Sequence, residues 1–565
     1  MTPKERIYAI LKGDSYDRPA VTPIFMAWSA NFIGHSYRDY YLDGDVLVEA
    51  QLAVARAFNL DQVSAISDPW RIQSLAGFDE FAADPNYWSG FTRLETDVNL
   101  AGRTYSTAVI APDVDNSNYY FNGTAFTGVF DGNDHKIINL TIDDGGAGND
   151  FLGLFGYIVE DGEVKNLGLE GGSVSGDSYV GGLLGGNGGN ISNCYSTGDV
   201  SGGYYVGGLV GFYGGSISNC YSTGNVSGYQ GVGGLVGLNY GSVSNCYSTG
   251  NVSGYEGVGG LVGLNYGSIS NCYSTGSVSS DYRVGGLVGL NNHEGYVSNC
   301  YSTGSVSGDD DVGGLAGYNH GSISNCHSTG DVSSDGYVGG LVGYSNGTIT
   351  NCYSTGDVSG EDGVGGLLGD NYGYVSNCYS TGDVNGLGSV GGLVGWNSGS
   401  VANCYSTGDV NGVEYVGGLV GHNGLIEWNH EWGYLFHPGF IFNSYSNGSV
   451  QGTSLVGGLV GVHEFGDIDG SFWDVETSGE PNMCGIQSEY ATGCDPNCGN
   501  TTAEMQTRST FTDAGWDFVE IWGVGEGQTY PYLRFAPAGD LNYDKKVDLF
   551  DFAIFADHWL EGITP

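Results

Sequence analysis

The chain has 565 residues, including 103 Gly and 40 Tyr, and its 63 acidic residues against 16 basic ones set a net charge of −47. Such a surface repels nucleic acid and anionic lipid, and it favours solubility and divalent cations. There is no apolar run of about 18 residues, the length at which a helix begins to span a bilayer, so the sequence offers no membrane-spanning helix.

Residues 1–70 differ in composition from everything that follows. Met1–Gly13 lacks the apolar stretch of a signal peptide and reads as a short helix. Asp45–Asn59 has clean amphipathic spacing and predicts a second helix. The run M-T-P-K-E-R-I-Y-A-I-L-K-G, then D-R-P-A-V-T-P-I-F-M-A-W and D-Q-V-S-A-I-S-D-P-W, resembles the N-terminus of the uroporphyrinogen decarboxylase family and its corrinoid-methyltransferase relatives. That family implies a (β/α)₈ barrel, for which ~250 residues are typical. The resemblance ends near Trp70. Met26-Ala27-Trp28 stands where the decarboxylases carry a substrate-binding arginine, and the zinc ligands of the methyltransferases would lie further on. The segment therefore reads as a truncated barrel start without an active site.

From Val180 to about Gly421 the chain repeats. V-G-G-L-V-G, a short Asn/Tyr/Gly turn and S-I-S-N-C-Y-S-T-G-D-V-S-G recur every 26 residues, stretched once to 28 at Asn291–Tyr296. Gly recurs too often for a helix to propagate, whereas the short Val/Ile/Leu runs suit brief strands. A fixed period of this size is the mark of a solenoid. One unit should hold about three strand pieces, such as Gly259–Leu264, Ser268–Ser274 and Asn251–Ser253. The expected fold is all-β: a parallel β-helix of about twelve 26-residue coils, with a small α-rich N-terminal segment and a C-terminal loop–helix. At ~4.8 Å per coil it would measure on the order of 60 Å. Ile191, Ile217, Val243 and Ile269 should point inward. The Asn before each repeat cysteine suits a left-handed bend and predicts a stacked internal Asn ladder. Cys194, Cys220, Cys246, Cys272, Cys300, Cys326, Cys352, Cys378 and Cys404 should follow inside as small buried hydrophobes, because Leu167 and Ser444 occupy the equivalent place in flanking coils, with disulfides or a file of metal ligands as the alternatives.

The V-G-G-L-V-G…N-C-Y-S-T-G pattern resembles the GLUG repeat of bacterial secreted and surface proteins. Phe130–Ile142 is similar to the start of many pectin-lyase-like right-handed β-helices. The resemblance implies extracellular or cell-surface display and no defined reaction. Ile72–Gly102 then reads as the opening cap, a helix followed by the first strand, within a cap region 71–150. The GLUG solenoid proper spans 151–470, with an insertion at 421–442. His422, Trp428, His430, Glu431, Trp432 and His437 make that insertion either a protruding aromatic loop or a metal site. A closing cap covers 471–537, where a local disulfide among Cys484, Cys494 and Cys498 would leave one thiol unpaired.

Residues 538–565 carry the one chemical motif. In D-L-N-Y-D-K-K-V-D-L-F-D, Asp540, Asn542, Asp544, Asp548 and Asp551 take loop positions 1, 3, 5, 9 and 12, with the Lys546 carbonyl at 7. That spacing wraps Ca²⁺, and Phe550–Leu560 follows with amphipathic periodicity. The segment resembles half a dockerin, which implies a cohesin-like partner. Lys545 departs from the Gly usual at position 6, and the alternative is a solvated acidic turn.

Three functional classes compete. A polysaccharide lyase or hydrolase needs paired carboxylates or cationic groups, yet residues 180–420 contain no Lys and one Arg, Arg283. The recurring Asp199, Asp331, Asp357, Asp383 and Asp409 read as turn residues. A binding module would use the column Tyr195, Tyr221, Tyr247, Tyr273, Tyr301, Tyr353, Tyr379 and Tyr405 as an aromatic stripe for sugar rings or a protein surface, unless those rings merely stack on one another. The third class is a passive rod. Binder and rod together describe a non-catalytic surface adhesin or stalk, the function expected here, with a β-helix polysaccharide-degrading enzyme as the alternative.

Overall fold

A computed structural model describes residues 70–115, 120–429 and 433–534. The readings for residues 1–69, and the calcium loop with its helix, lie outside these residues.

Each coil is broken into short strands by Gly and Asn at its corners. In one coil these are Glu256–Gly259, Val262–Asn265, Ser268–Ser270, Tyr273–Ser274 and Val278–Ser279. Every strand pairs in parallel with its equivalents one coil before and after. Val258 lies between Val232 and Val284, Ile269 between Val243 and Val297, and Tyr273 between Tyr247 and Tyr301. Like residues therefore stack on like, and the chain is an all-β parallel solenoid.

Two quantities differ from expectation. Five strands replace the three predicted pieces, because the corners at Gly260-Leu261 and Asn271-Cys272 split what reads in sequence as one run. One face of the solenoid is a sheet of 16 strands rather than about twelve. Trp70–Ile72, Phe91–Leu94 and Val129–Asp131 join its beginning and Ala491–Thr492 its end, so the caps lengthen the stack. At ~4.8 Å per rung that is about 75 Å.

Most inner positions are apolar. Val258, Leu261, Val262, Ile269, Cys272 and Val278 are all essentially inaccessible, and Ile191, Ile217 and Val243 point inward as expected. A coil alone would leave these side chains wet; stacking buries each for roughly 1.5–3 kcal/mol. The 28-residue coil absorbs its extra residues in a turn closed by Gly295 N–H to the Asn292 carbonyl, and Tyr296 still pairs with Ser268.

At the N-terminal end the helix Leu75–Ala83, capped by Ser74, lays Phe78 and Phe81 over the first coils. At the other end Thr502–Met505, Arg508–Thr512 and the Trp522–Gly523/Tyr532–Leu533 hairpin fold back against the last coils. The 421–442 insertion forms an antiparallel hairpin, Leu425–Asn429 with Gly433–His437; His430, Glu431 and Trp432 lie outside the described residues.

Candidate functional site

Four sets of side chains run along the solenoid, the Asn, Cys and Tyr columns and one mixed corner, and their chemistry follows from where each corner turns.

The Asn before each repeat cysteine takes the left-handed backbone that Asn tolerates, with φ 53° at Asn193, 54° at Asn271 and 55° at Asn351. That part of the expectation holds. The ladder is not internal, however: Asn193, Asn219, Asn245, Asn271 and Asn325 are exposed at the outer corner. The internal ladder is built instead by the Asn that ends each V-G-x-N strand. Asn239, Asn265, Asn291, Asn319, Asn371 and Asn423 are fully buried. Asn239 donates to Asn265 at 2.7 Å, Asn265 to Asn291 at 2.8 Å and Asn291 to Asn319 at 2.8 Å. The ladder ends at His463, whose ring faces Asn423 at 3.1 Å and the Thr492 carbonyl at 2.9 Å. Burial lowers the affinity of His463 for a second proton.

The cysteines lie inside, as expected, but they also work as polar bridges. The Cys194, Cys220, Cys246 and Cys272 N–H groups each donate to the thiol of the next coil at 3.3–3.4 Å, and the thiols donate to the carbonyl two residues back at 3.1–3.2 Å. Ser444 takes over both bonds, accepting from Cys404 N–H at 3.1 Å and donating to the Phe442 carbonyl at 2.8 Å. Burial pushes the Cys220, Cys326, Cys352 and Cys378 thiols well up, so they are neutral and inert. Beyond the repeat, Cys484 is disulfide-bonded to Cys494 and Cys498 is free. Among the described residues no cluster of His, Cys, Asp and Glu could hold a metal ion. His422 of the insertion is stacked on Trp396 at 4.2 Å and paired with Glu464 at 3.2 Å.

Tyr195, Tyr221, Tyr247, Tyr273, Tyr301, His327, Tyr353, Tyr379 and Tyr405 form one outward column. Successive ring centroids are 4.7–5.1 Å apart and within 9° of parallel. Each ring gives its faces to its neighbours and turns an edge and a polar tip outward. Tyr195 donates to Glu170 at 2.9 Å. The last rings are covered: Tyr445 is buried under Trp516, Trp522 and Phe511, and Tyr405 and Tyr379 pack against the same cluster.

The fourth surface has no counterpart in the sequence reading. At the corner before each V-G-G, Tyr204, Gln230, Glu256 and Tyr282 are in register, with Tyr229 and Tyr255 beside them. The Tyr rings are 39, 47, 37 and 42 % exposed in chain order. Tyr229 and Tyr255 stack at 4.9 Å and 3°, whereas Tyr204 and Tyr282 stand edge-to-face at 74° to their neighbours. Gln230 Nε2 donates to Glu256 Oε2 at 3.0 Å, and Arg283 donates to Glu256 Oε1 at 2.9 Å. A chemically distinct pair lies further along: burial pushes Asp311 up to about 7 and Asp370 up to about 8. Asp370 is 5 % exposed, so it meets no substrate in this conformation.

The Ca²⁺ ligands predicted at Asp540, Asn542, Asp544, Lys546, Asp548 and Asp551 lie outside the described residues. No helix among the described residues is long and apolar enough to cross a membrane.

Comparison with known proteins recognises the repeat. Eight segments match the GLUG motif: 176–201, 202–227, 228–253, 254–279, 280–307, 310–333, 334–359 and 386–411. Halomucin of Haloquadratum walsbyi is 30% identical over 132 residues, 23% of this chain and 1% of that protein. A candidate Gly-rich membrane protein of Evansella cellulosilytica is 42% identical over 67 residues, 12% of this chain and 6% of its own length. The chain thus spans only a few per cent of these relatives. Among solved structures, a candidate immunoglobulin A1 protease from Bacteroides ovatus aligns at 21% identity and TM-score 0.29, covering 52% of this chain and 77% of that one. An IgA1 protease aligns at 17% identity and TM-score 0.27, covering 55% and 21%.

Proposed function

We propose that the chain is a non-catalytic extracellular or cell-surface repeat protein, a stalk that presents an adhesive face to a polysaccharide or surface protein. One observation carries this reading: the recurring carboxylates of the solenoid are committed to holding coil to coil. Asp357 N–H donates to the Asp331 carboxylate at 3.2 Å, Asp383 N–H to Asp357 and Asp409 N–H to Asp383, both at 3.0 Å. These carboxylates act as turn caps, not as an acid/base pair. The GLUG repeats, and the partial likeness to a halomucin and to a Gly-rich membrane protein, support display at a surface.

In the same reading the terminal loop Asp540–Asp551 binds Ca²⁺ and docks a cohesin-like partner. Calorimetric titration of the full chain with Ca²⁺ tests it: heat that disappears in Asp540→Ala/Asp544→Ala supports the loop, and its persistence in that variant refutes it. Display itself is tested by protease shaving of intact producing cells. Release of solenoid peptides supports the stalk; protection until lysis contradicts it.

A further inference from the structure

The Tyr195 column has given its ring faces to self-stacking, so a ligand that needs flat aromatic faces must bind elsewhere. We infer that the corner built by Tyr204, Tyr229, Gln230, Tyr255, Glu256 and Tyr282 is a binding subsite for a neutral polysaccharide lying along the solenoid axis.

Three observations converge on that occupant. Tyr204 and Tyr282 flank one register column, turned out of the stack and 39 and 42 % exposed, as rings that meet the C–H face of a pyranose must be. Between them lies the Gln230–Glu256 pair. It leaves the Gln230 carbonyl, its second N–H and further Glu256 lone pairs to meet sugar hydroxyls. Finally, the charge is balanced only locally. Arg283, the sole basic residue of 180–420, is spent on Glu256 and lies over the Tyr318 ring at 5.2 Å. A patch whose one carboxylate is paired, on a chain of net charge −47, suits an uncharged polyol and disfavours an anionic glycan. Further along the corner the rings give way to Asp281 and Asp309, then to Glu361, Leu387 and Val413.

This inference rests on the adhesive reading and names its ligand class. The test is affinity electrophoresis of the full chain at pH 7 through gels containing a β-glucan, an α-mannan or a galactan, with polygalacturonate as the charged counter-probe. At least one neutral polymer should retard the protein. Tyr204→Ala/Tyr282→Ala and, separately, Gln230→Ala should weaken that retardation at least tenfold, while Tyr296→Ala/Tyr374→Ala, exposed on another face, should not. These are surface substitutions, and an unchanged melting temperature shows that each variant is folded. No retardation by any neutral polymer, retardation by polygalacturonate alone, or equal binding by wild type and both strip variants overturns the inference. Cell shaving separates the two claims: a displayed protein that binds no glycan sinks only the subsite, and a glycan-binding protein retained inside the cell sinks the stalk.

Discussion

At the residue scale, the repeat separates two kinds of Asn and gives Cys a second task. Removing one rung of the inner ladder orphans its neighbours. Asn291→Ala should therefore cost about 1–3 kcal/mol for each buried partner left unsatisfied, read by denaturant unfolding. The outer Asn behaves differently: Asn325→Gly should be nearly neutral, whereas Asn325→Val forces a β-branched residue into the left-handed region (φ 53°) and should cost about 1–2 kcal/mol. Equal costs for the two outer substitutions would contradict the backbone argument. For the cysteines, Cys300→Ser should be milder than Cys300→Ala, since Ser444 makes the same two bonds in its own coil.

Asp370 adds a pH dependence. An unfolded Asp ionises near roughly 3.9, whereas burial raises the folded group to about 8. The folded chain holds the extra proton between these limits. Stability is therefore full below the lower limit, falls as pH rises through the window and is level again above about 8. Each tenfold difference in proton affinity between the folded and unfolded chain is worth about 1.4 kcal/mol. Asp370→Asn should flatten that slope and exceed wild type at pH 9 by about 1 kcal/mol or more. A variant with the wild-type slope would refute it.

The inward Ile/Val set, the Cys column and the left-handed Asn corner were legible from spacing alone. The inner Asn ladder was not, because in Val262–Asn265 the Leu264 side chain lies toward the surface while Asn265 is buried, the reverse of a hydropathy reading.

At the element scale, a strand two to four residues long has no stability of its own; it exists because the coils beside it supply both rows of hydrogen bonds. The ends are therefore where stability is managed. The aromatic closing cap covers Tyr445 and shields the final parallel edge. Truncation after residue 500 should expose that edge and those rings. The measurable outcome is concentration-dependent association in analytical ultracentrifugation, with a raised signal from a hydrophobic dye. A monodisperse truncation with no such signal would show the cap to be dispensable. The tyrosine strip at Tyr204–Tyr282 escaped sequence reading because its rings sit in the variable G-Y-x corner and shift by a residue between coils. Only pairing register brings Tyr204, Gln230, Glu256 and Tyr282 into one line.

At the scale of the whole molecule, length is set by coil number. Small-angle X-ray scattering compares the full chain with a version lacking residues 308–411, four coils bounded by equivalent corners. The rod account predicts that the shortened protein stays folded, keeps its cross-section and loses about 19 Å in maximum dimension, ~4.8 Å per coil. An unchanged maximum dimension, a widened cross-section or loss of the β-sheet circular dichroism signal would contradict a continuous stack of interchangeable coils.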